Sequence, residues 1–165
     1  MKTTIILLFS LLFTSANLQA KGSCDEAEYQ QFDFWLGQWQ VTNPENNQVS
    51  ESKITKILGG CVLLEEYNAP SGFQGKSLNI YDKQQKKWHQ SWTDNSGLLL
   101  QLNGEFIDNS MILKGSIVDD KGKELFQMIT WSLLENNKVR QHWQQSIDAG
   151  ITWVTLFDGT YTRRQ

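Results

Sequence analysis

The sequence predicts an all-β protein, a closed antiparallel up-and-down barrel of about ten strands with a short helical plug at its N-terminus. Three observations lead to this prediction. Short runs rich in Val, Ile, Thr, Tyr and Trp follow one another from residue 38 onward, and turn residues separate them. No stretch between these runs shows helical periodicity. A flat sheet of this size would leave two edges open, whereas a barrel closes them; a β-sandwich is the alternative.

The first part of the chain, residues 1–20, is predicted to be a secretory signal peptide. A positive charge at the start is followed by an apolar run, Ile5–Phe13, and then by small and polar residues, the order typical of such a leader. The run is too short to span a membrane as a helix. We place cleavage after Ala20, with Ala16 as the second choice. Residues 21–165 then form a single exported domain, periplasmic or secreted.

Charge and cysteine content narrow the classes of function. The formal net charge is −3, and the loss of Lys2 with the leader makes the mature chain one unit more negative. An acidic chain does not favour a nucleic-acid partner. Cys24 and Cys61 lie in the exported part, where disulfides persist, and we predict that they are bonded. Two free thiols or a metal pair are the alternatives, as is a lipid anchor on Cys24, which Lys21 disfavours.

The stretch FDFWLGQWQV predicts how the barrel begins. Residues 28–36 fit a short helical turn with one apolar face. We expect the aromatic side chains of this turn to fill one end of the barrel: Phe32, Phe34 and Trp35. Gly37 should let the backbone bend into the first strand. Trp39 should pack on the plug, and a role for Trp39 in contacting a ligand is the alternative.

Ten strands are predicted after the plug, each bounded by turn residues such as Asn, Asp and Gly. Their ranges are Gln38–Asn43, Val49–Leu58, Val62–Asn68, Lys76–Asp82, Lys87–Thr93, Leu98–Ile107, Met111–Val118, Leu125–Leu134, Val139–Ile147 and Thr152–Thr162. Asp94 and Asp148 fall in two of the turns, where we expect their carboxylates to accept hydrogen bonds from the backbone. A catalytic role for these two carboxylates is the alternative.

Five segments of the chain resemble a known family when they are taken together. They are FDFWLGQWQV, GGCVLLEEY, GKSLNIYD, KWHQSWTDNSG and VRQHWQQSIDAGITWVTLFDGTYTRR. They look like the DUF1579 family of uncharacterised proteins, and the match covers nearly the whole mature chain. That family is similar to the calycins, which are lipocalin-like barrels, with the haem-binding nitrobindins as more distant relatives. The resemblance implies a ten-stranded barrel with an internal cavity and implies no activity.

Two of the predicted strands place tryptophan and glutamine on the same face, because alternate residues of a strand share a face. These residues are Trp88, Gln90 and Trp92 on one strand and Gln141 and Trp143 on the other. Such faces are typical of a half-polar cavity that binds a small molecule. Asn79 and Tyr81 on a third strand are added as ligand-binding candidates. A packed core with mutually satisfied amides is the alternative. On the cavity interpretation Gln90 meets water, and Gln90→Leu leaves no partner stranded.

Three hypotheses of function follow, in order of preference. The first is an exported barrel that binds a small apolar or amphipathic ligand. The second is a haem protein, by analogy with nitrobindin; His89 and His142 are the obvious iron ligands, but strand parity places both on the outer face, so we predict no cofactor and no metal. The third is an enzyme in which either Glu65 or Glu66 faces inward and acts as acid or base, with a pKa raised by burial.

Overall fold

The protein is a ten-stranded antiparallel barrel in the computed structural model, which describes residues 24–45 and 48–164. Each strand pairs with its neighbours in sequence, and β1 closes against β10. The strands are β1 Gly37–Asn43, β2 Gln48–Ile57, β3 Val62–Asn68, β4 Gln74–Asp82, β5 Lys87–Asp94, β6 Leu99–Ile107, β7 Ser110–Val118, β8 Glu124–Leu133, β9 Val139–Ser146 and β10 Val154–Arg163. The predicted fold class is confirmed, and the predicted strand ends lie close to the observed ones. The predicted signal peptide lies outside the described residues.

Four short 3₁₀ helices accompany the strands in the described part of the chain. Two precede β1, at Ala27–Gln30 and Asp33–Trp35, and two lie in connections, at Leu58–Gly60 and Glu135–Asn137. Among the described residues, no helix has the length and apolarity needed to cross a membrane.

Residues 24–36, called the plug below, fill one end of the barrel. Phe32 is fully buried, and its ring stacks on Trp35 with 4.9 Å between the ring centroids. It also meets Trp88 and Trp131 of the barrel edge-on, at 5.6 and 5.3 Å. Tilted and edge-to-face aromatic contacts of this kind add to the free energy gained by burial. The predicted plug is therefore confirmed, although two 3₁₀ helices replace the single turn.

The passage from the plug into β1 requires glycine at residue 37. Gly37 has a φ of +134°, which L side chains rarely adopt, and a Cβ there would lie 2.0 Å from Arg163 Nη1. Arg163 Nη1 donates to the carbonyl oxygen of Leu36 at 2.6 Å, and its guanidinium lies 4.1 Å from the ring centroid of Trp39. Trp39 Nε1 in turn donates to the carbonyl oxygen of Trp35 at 2.9 Å. Trp39 thus belongs to the packing of plug on barrel.

Covalent and polar contacts also hold the plug to the barrel. Cys24 and Cys61 form a disulfide, which confirms the predicted bond and joins the start of the plug to the residue before β3. Lys56 Nζ lies 2.7 Å from Asp33 Oδ2. The plug is therefore held by the disulfide and this ion pair as well as by its aromatic rings.

The two turn carboxylates accept hydrogen bonds as predicted. Asp148 accepts from the hydroxyl of Thr152 at 2.6 Å and from its backbone N–H at 2.8 Å, and these bonds lower the pKa of Asp148 to about 2. Asp94 accepts from the backbone N–H groups of Ser96 and Leu98 at 2.9 and 3.4 Å. Both residues therefore act as turn caps.

Opening the disulfide is expected to lower the free energy of unfolding by a few kcal/mol, and by about 4 kcal/mol at most. The bond closes a loop with a sequence separation of 37, and its loss frees the unfolded chain. Urea denaturation of the wild type and of the double variant Cys24→Ser/Cys61→Ser measures the loss. Wild type in reductant is the control and should match the variant. Two alkylatable thiols in untreated protein would contradict the bond.

Candidate functional site

A cavity of about 310 Å³ occupies the half of the barrel interior that the plug does not reach. On β5, Trp88 packs in the core against the plug, whereas Gln90 and Trp92 line the cavity. On β9, Val139 packs in the core, whereas Gln141 lines the cavity. Position along a strand therefore decides whether an inward side chain belongs to the core or to the cavity.

The inner end of the cavity, called the floor below, is formed by one residue from each of five strands. These residues are Glu65, Gln90, Leu100, Ile129 and Gln141. On each strand, the next inward position towards the plug is a buried core residue. The opposite end opens between the end of β1, the start of β2, the β3–β4 loop and the start of β10. The volume is at the lower end of the range typical of small-molecule sites.

Five aromatic side chains, called the aromatic wall below, line the cavity between the floor and the mouth. They are Tyr67, Phe73, Trp92, Trp143 and Phe157. The rings of Phe73 and Trp92 are stacked with 6.5 Å between centroids. Tyr67 meets Trp92 and Phe157 edge-on at 6.3 and 6.4 Å. The wall offers a ligand an extended apolar surface of fixed shape.

The two tryptophans of the wall are held in place by the protein. Trp92 Nε1 donates to Asp94 Oδ2 at 3.0 Å, and Trp143 Nε1 donates to Gln127 Oε1 at 2.8 Å. Gly75 provides space for Trp92, because a Cβ at residue 75 would lie 2.1 Å from Trp92 Cζ2. Since both indole N–H groups are engaged, these side chains present ring surface to the cavity.

Glu65 is the buried carboxyl of the floor, with only 2% of its surface exposed. Ser52 on β2 donates to its Oε1 at 3.1 Å, and Ser77 on β4 donates to its Oε2 at 2.9 Å. The Tyr161 hydroxyl lies 3.5 Å from Oε1. Burial raises the pKa of Glu65 to about 7, although these hydrogen bonds act in the opposite direction. The carboxyl therefore changes its charge near neutral pH.

A chain of amide and hydroxyl groups ends on this carboxyl. Gln90 Nε2 donates to Asn79 Oδ1 at 2.8 Å, Asn79 Nδ2 donates to Ser77 Oγ at 2.9 Å, and Ser77 donates to Glu65. Because each group donates towards Glu65, the chain favours the charged carboxylate. Gln90 therefore has a buried protein partner, and the expectation that Gln90→Leu leaves no partner stranded is wrong. Replacing Gln90 by leucine would leave the side-chain oxygen of Asn79 without its hydrogen-bond donor.

Tyr161 lies beside Glu65 and stays protonated. Its hydroxyl donates a short hydrogen bond to Gln141 Oε1 and approaches Glu65. Burial raises the pKa of Tyr161 well above its ordinary value, and the nearby Glu65 carboxyl adds to this effect. The phenol therefore serves as a neutral hydrogen-bond donor at the floor.

The sequence left open which of two adjacent glutamates faces inward, and the structure places Glu65 there. Glu66 lies on the outer face of β3, where its Oε1 is 2.9 Å from Lys76 Nζ. The hydrogen bond and charge of Lys76 lower the pKa of Glu66. The two residues therefore differ in environment although they are neighbours in sequence, which makes Glu66 a matched control for changes at Glu65.

Four of the seven ligand-binding candidates line the cavity and three do not. Gln90, Trp92, Gln141 and Trp143 line it. Asn79 lies behind Gln90 in the hydrogen-bond chain. Trp88 donates to Gln31 of the plug at 3.1 Å, and Tyr81 lies against Tyr29 with 5.4 Å between ring centroids. Trp88 and Tyr81 share a strand face with Gln90 and Asn79 respectively, but they lie at the plug end of the barrel.

Three wall residues were not among the candidates: Tyr67, Phe73 and Phe157. Tyr67 could have been found, because it lies two residues after Glu65 and shares its face. Phe73 lies just before β4, and Phe157 follows an irregularity in the pairing of β10 with β9. Strand parity cannot follow a side chain across a loop or a bulge.

Both histidines lie on the outer face, as strand parity predicts. His89 Nδ1 is 2.9 Å from Asn103 Oδ1, and His142 Nε2 is 2.9 Å from Thr155 Oγ1. Neither lines the cavity, so the donor set of the cavity does not fit a histidine-ligated haem. Within residues 24–45 and 48–164, no group of three His, Cys, Asp or Glu side chains could hold a metal ion.

No model of a protein family matches the chain, and no curated protein is significantly similar to it. The resemblance to DUF1579 stays a prediction.

Trp92→Ala is expected to cost less stability than Trp131→Ala. Trp131 is fully buried in the core, where truncation of a tryptophan typically costs about 3–5 kcal/mol. Trp92 is half-buried and borders an existing cavity, so less packing is lost and the free energy of unfolding should fall by less than about 3 kcal/mol. Urea denaturation of the two variants gives the comparison. Equal losses would mean that the Trp92 site is packed as a closed core.

Glu65 should destabilise the fold as the pH rises. Its pKa is about 7 in the folded protein against an ordinary 4.5, so the folded chain holds a proton that the unfolded chain releases between these values. Stability therefore falls as the pH rises through this window. Across this window the free energy of unfolding of the wild type should fall by about 3 kcal/mol relative to that of Glu65→Gln.

Urea denaturation at several pH values measures this difference in free energy of unfolding. Glu66→Gln is the control and should follow the wild type through the window. Parallel curves for the wild type and Glu65→Gln would show that Glu65 does not hold its proton in the folded state.

Proposed function

We propose that this protein is an exported barrel that binds a small apolar or amphipathic molecule in its cavity. The observation that supports it is the division of the interior, because a cavity with an aromatic wall and three polar side chains on its floor lies beside a buried apolar core. A cavity with apolar sides and a few placed polar groups is the usual form of a small-molecule site. The disulfide agrees with export, since such bonds persist in oxidising compartments.

Acid–base catalysis at Glu65 is the second candidate function. A carboxyl with a pKa of about 7 can both take up and release a proton near neutral pH, as general acid–base catalysis requires. Tyr161 beside it keeps its proton and donates a hydrogen bond to Gln141, which lines the cavity. This function ranks second because it needs, beyond the cavity, a substrate whose reacting atom lies next to the carboxyl.

Binding in the cavity predicts saturable uptake of an uncharged apolar fluorophore such as N-phenyl-naphthylamine, with one site per chain. The fluorophore should brighten as it leaves water for the aromatic wall. Ile129→Trp places a large ring on the floor and should weaken binding by at least about tenfold, since it fills the cavity. Fluorescence titration measures both.

The matched control is Thr130→Trp, which adds the same ring at the next residue of β8, on the opposite face of the strand. This variant should bind as the wild type does. A wild type that gives no saturable signal, or an Ile129→Trp variant that binds equally well, would overturn the proposal.

A further inference from the structure

Among the described residues that line it, the cavity has one carboxyl and no cation to balance it. Among the described lining residues, Glu65 is the only acidic or basic side chain. The neighbouring strands present neutral groups to it: Ser52 from β2, Ser77 from β4 and Tyr161 from β10. A buried charge without a counter-charge is costly, and the protein supplies only hydrogen bonds. Holding a proton removes this cost at low pH; once the carboxyl is ionised, the positive charge that balances it has to come from a ligand.

Hydrogen bonding at the floor points in the same direction. Ser52, Ser77 and Tyr161 all direct their hydroxyl protons onto oxygen atoms of Glu65 or Gln141, so these donors are already used. A carboxylate has about four acceptor positions, and Glu65 receives at most three protein hydrogen bonds. Gln90 donates its side-chain N–H to Asn79. The side-chain oxygen of Gln90 is then a second acceptor at the floor. The floor thus offers mainly acceptors.

An anionic head group would find a poor partner at this floor. Gln141 keeps its amide nitrogen as a donor, but it is neutral and cannot balance a negative charge. Carboxylate beside carboxylate would be repulsive unless one of them took up a proton. An ammonium group, by contrast, brings three donors and a positive charge to a site with free acceptors.

The aromatic wall suits the rest of such a ligand. Tyr67 occupies the next inward position along β3 after Glu65, and Trp92 occupies the next one along β5 after Gln90. An amine seated at the floor would therefore have π faces close to its charge, which attract cations. Its apolar part would extend along the wall towards the mouth.

We propose that the cavity takes amphipathic primary amines, with the ammonium group paired to the Glu65 carboxylate at the floor and the apolar part against the aromatic wall. This inference rests on the proposed binding function and names the ligand class for the same site. The occupied site then contains one balanced charge pair, hydrogen-bonded on both sides. Hydrogen-bonded, paired charges are the form in which proteins tolerate buried ions.

Amine binding in this site depends on pH through Glu65. The titratable groups that face it are Tyr67 on its own strand and Tyr161 on β10, and burial raises the pKa of both, so that they stay neutral. The Glu65 carboxylate becomes more populated as the pH rises through about 7. Amine affinity should accordingly increase about tenfold from about pH 6 to about pH 8, whereas the affinity for an uncharged ligand should not change.

The test compares octylamine, octanol and octanoate, which share one apolar chain and differ in head group. Displacement of N-phenyl-naphthylamine from the wild type should show octylamine binding at least about tenfold more tightly than octanol at about pH 8. Octanoate should bind least tightly. In Glu65→Gln the amine preference should disappear while octanol still binds, and in Glu66→Gln the preference should remain. Circular dichroism confirms that each variant is folded.

The outcomes separate this inference from the function on which it rests. Equal affinity for the three compounds, or a preference for octanoate, overturns the amine proposal and leaves the binding cavity in place. A preference for octylamine that survives in Glu65→Gln also overturns it. If no compound displaces the fluorophore and the fluorophore itself does not bind, both proposals fail.

Discussion

How far the plug extends into the barrel is the constraint on which the rest of the structure depends. Ten strands enclose a wider interior than the eight that side chains alone can fill. Phe32 and Trp35 fill one half of that interior by packing against Trp88 and Trp131, and the plug extends no further. In the other half, the inward side chains do not fill the space and leave the cavity between them. The cavity is therefore a consequence of how far residues 24–36 enter the barrel.

The same constraint explains why a carboxyl can lie inside. At the plug end the core around Phe32 is built from apolar and aromatic side chains such as Leu63 and Trp131, and a charge among them would have no acceptable surroundings. At the floor, Ser52, Ser77 and Tyr161 surround Glu65, and Asn79 extends the hydrogen bonding behind them. Ser52 and Ser77 lie on β2 and β4, the strands on either side of Glu65, and closure of the barrel between β1 and β10 brings Tyr161 to them.

Much of the fold could be predicted from the sequence, because strands, turns and apolar faces are local patterns. The plug and the disulfide were also predictable, since Phe32 and Trp35 share a face and the chain has two cysteines. Parity identified which face of β5 and of β9 points inward. It could not show how far along the barrel each inward side chain lies from the plug. Trp88 and Trp92 share a face, yet only Trp92 lines the cavity. Which inward residues border the cavity depends on where the plug ends, and this is a property of tertiary packing.

The choice between Glu65 and Glu66 shows what tertiary structure adds to a local pattern. Adjacent residues of a strand face opposite sides, and the way in which the sheet closes into a barrel decides which of the two is inside: Glu65 lies next to Tyr161 of β10. Burial then raises the pKa of Glu65 to about 7, while Lys76 lowers the pKa of Glu66. Inside the barrel, any cation that pairs with Glu65 favours its carboxylate and displaces its proton. Ligand charge, protonation and stability are in this way linked at one side chain.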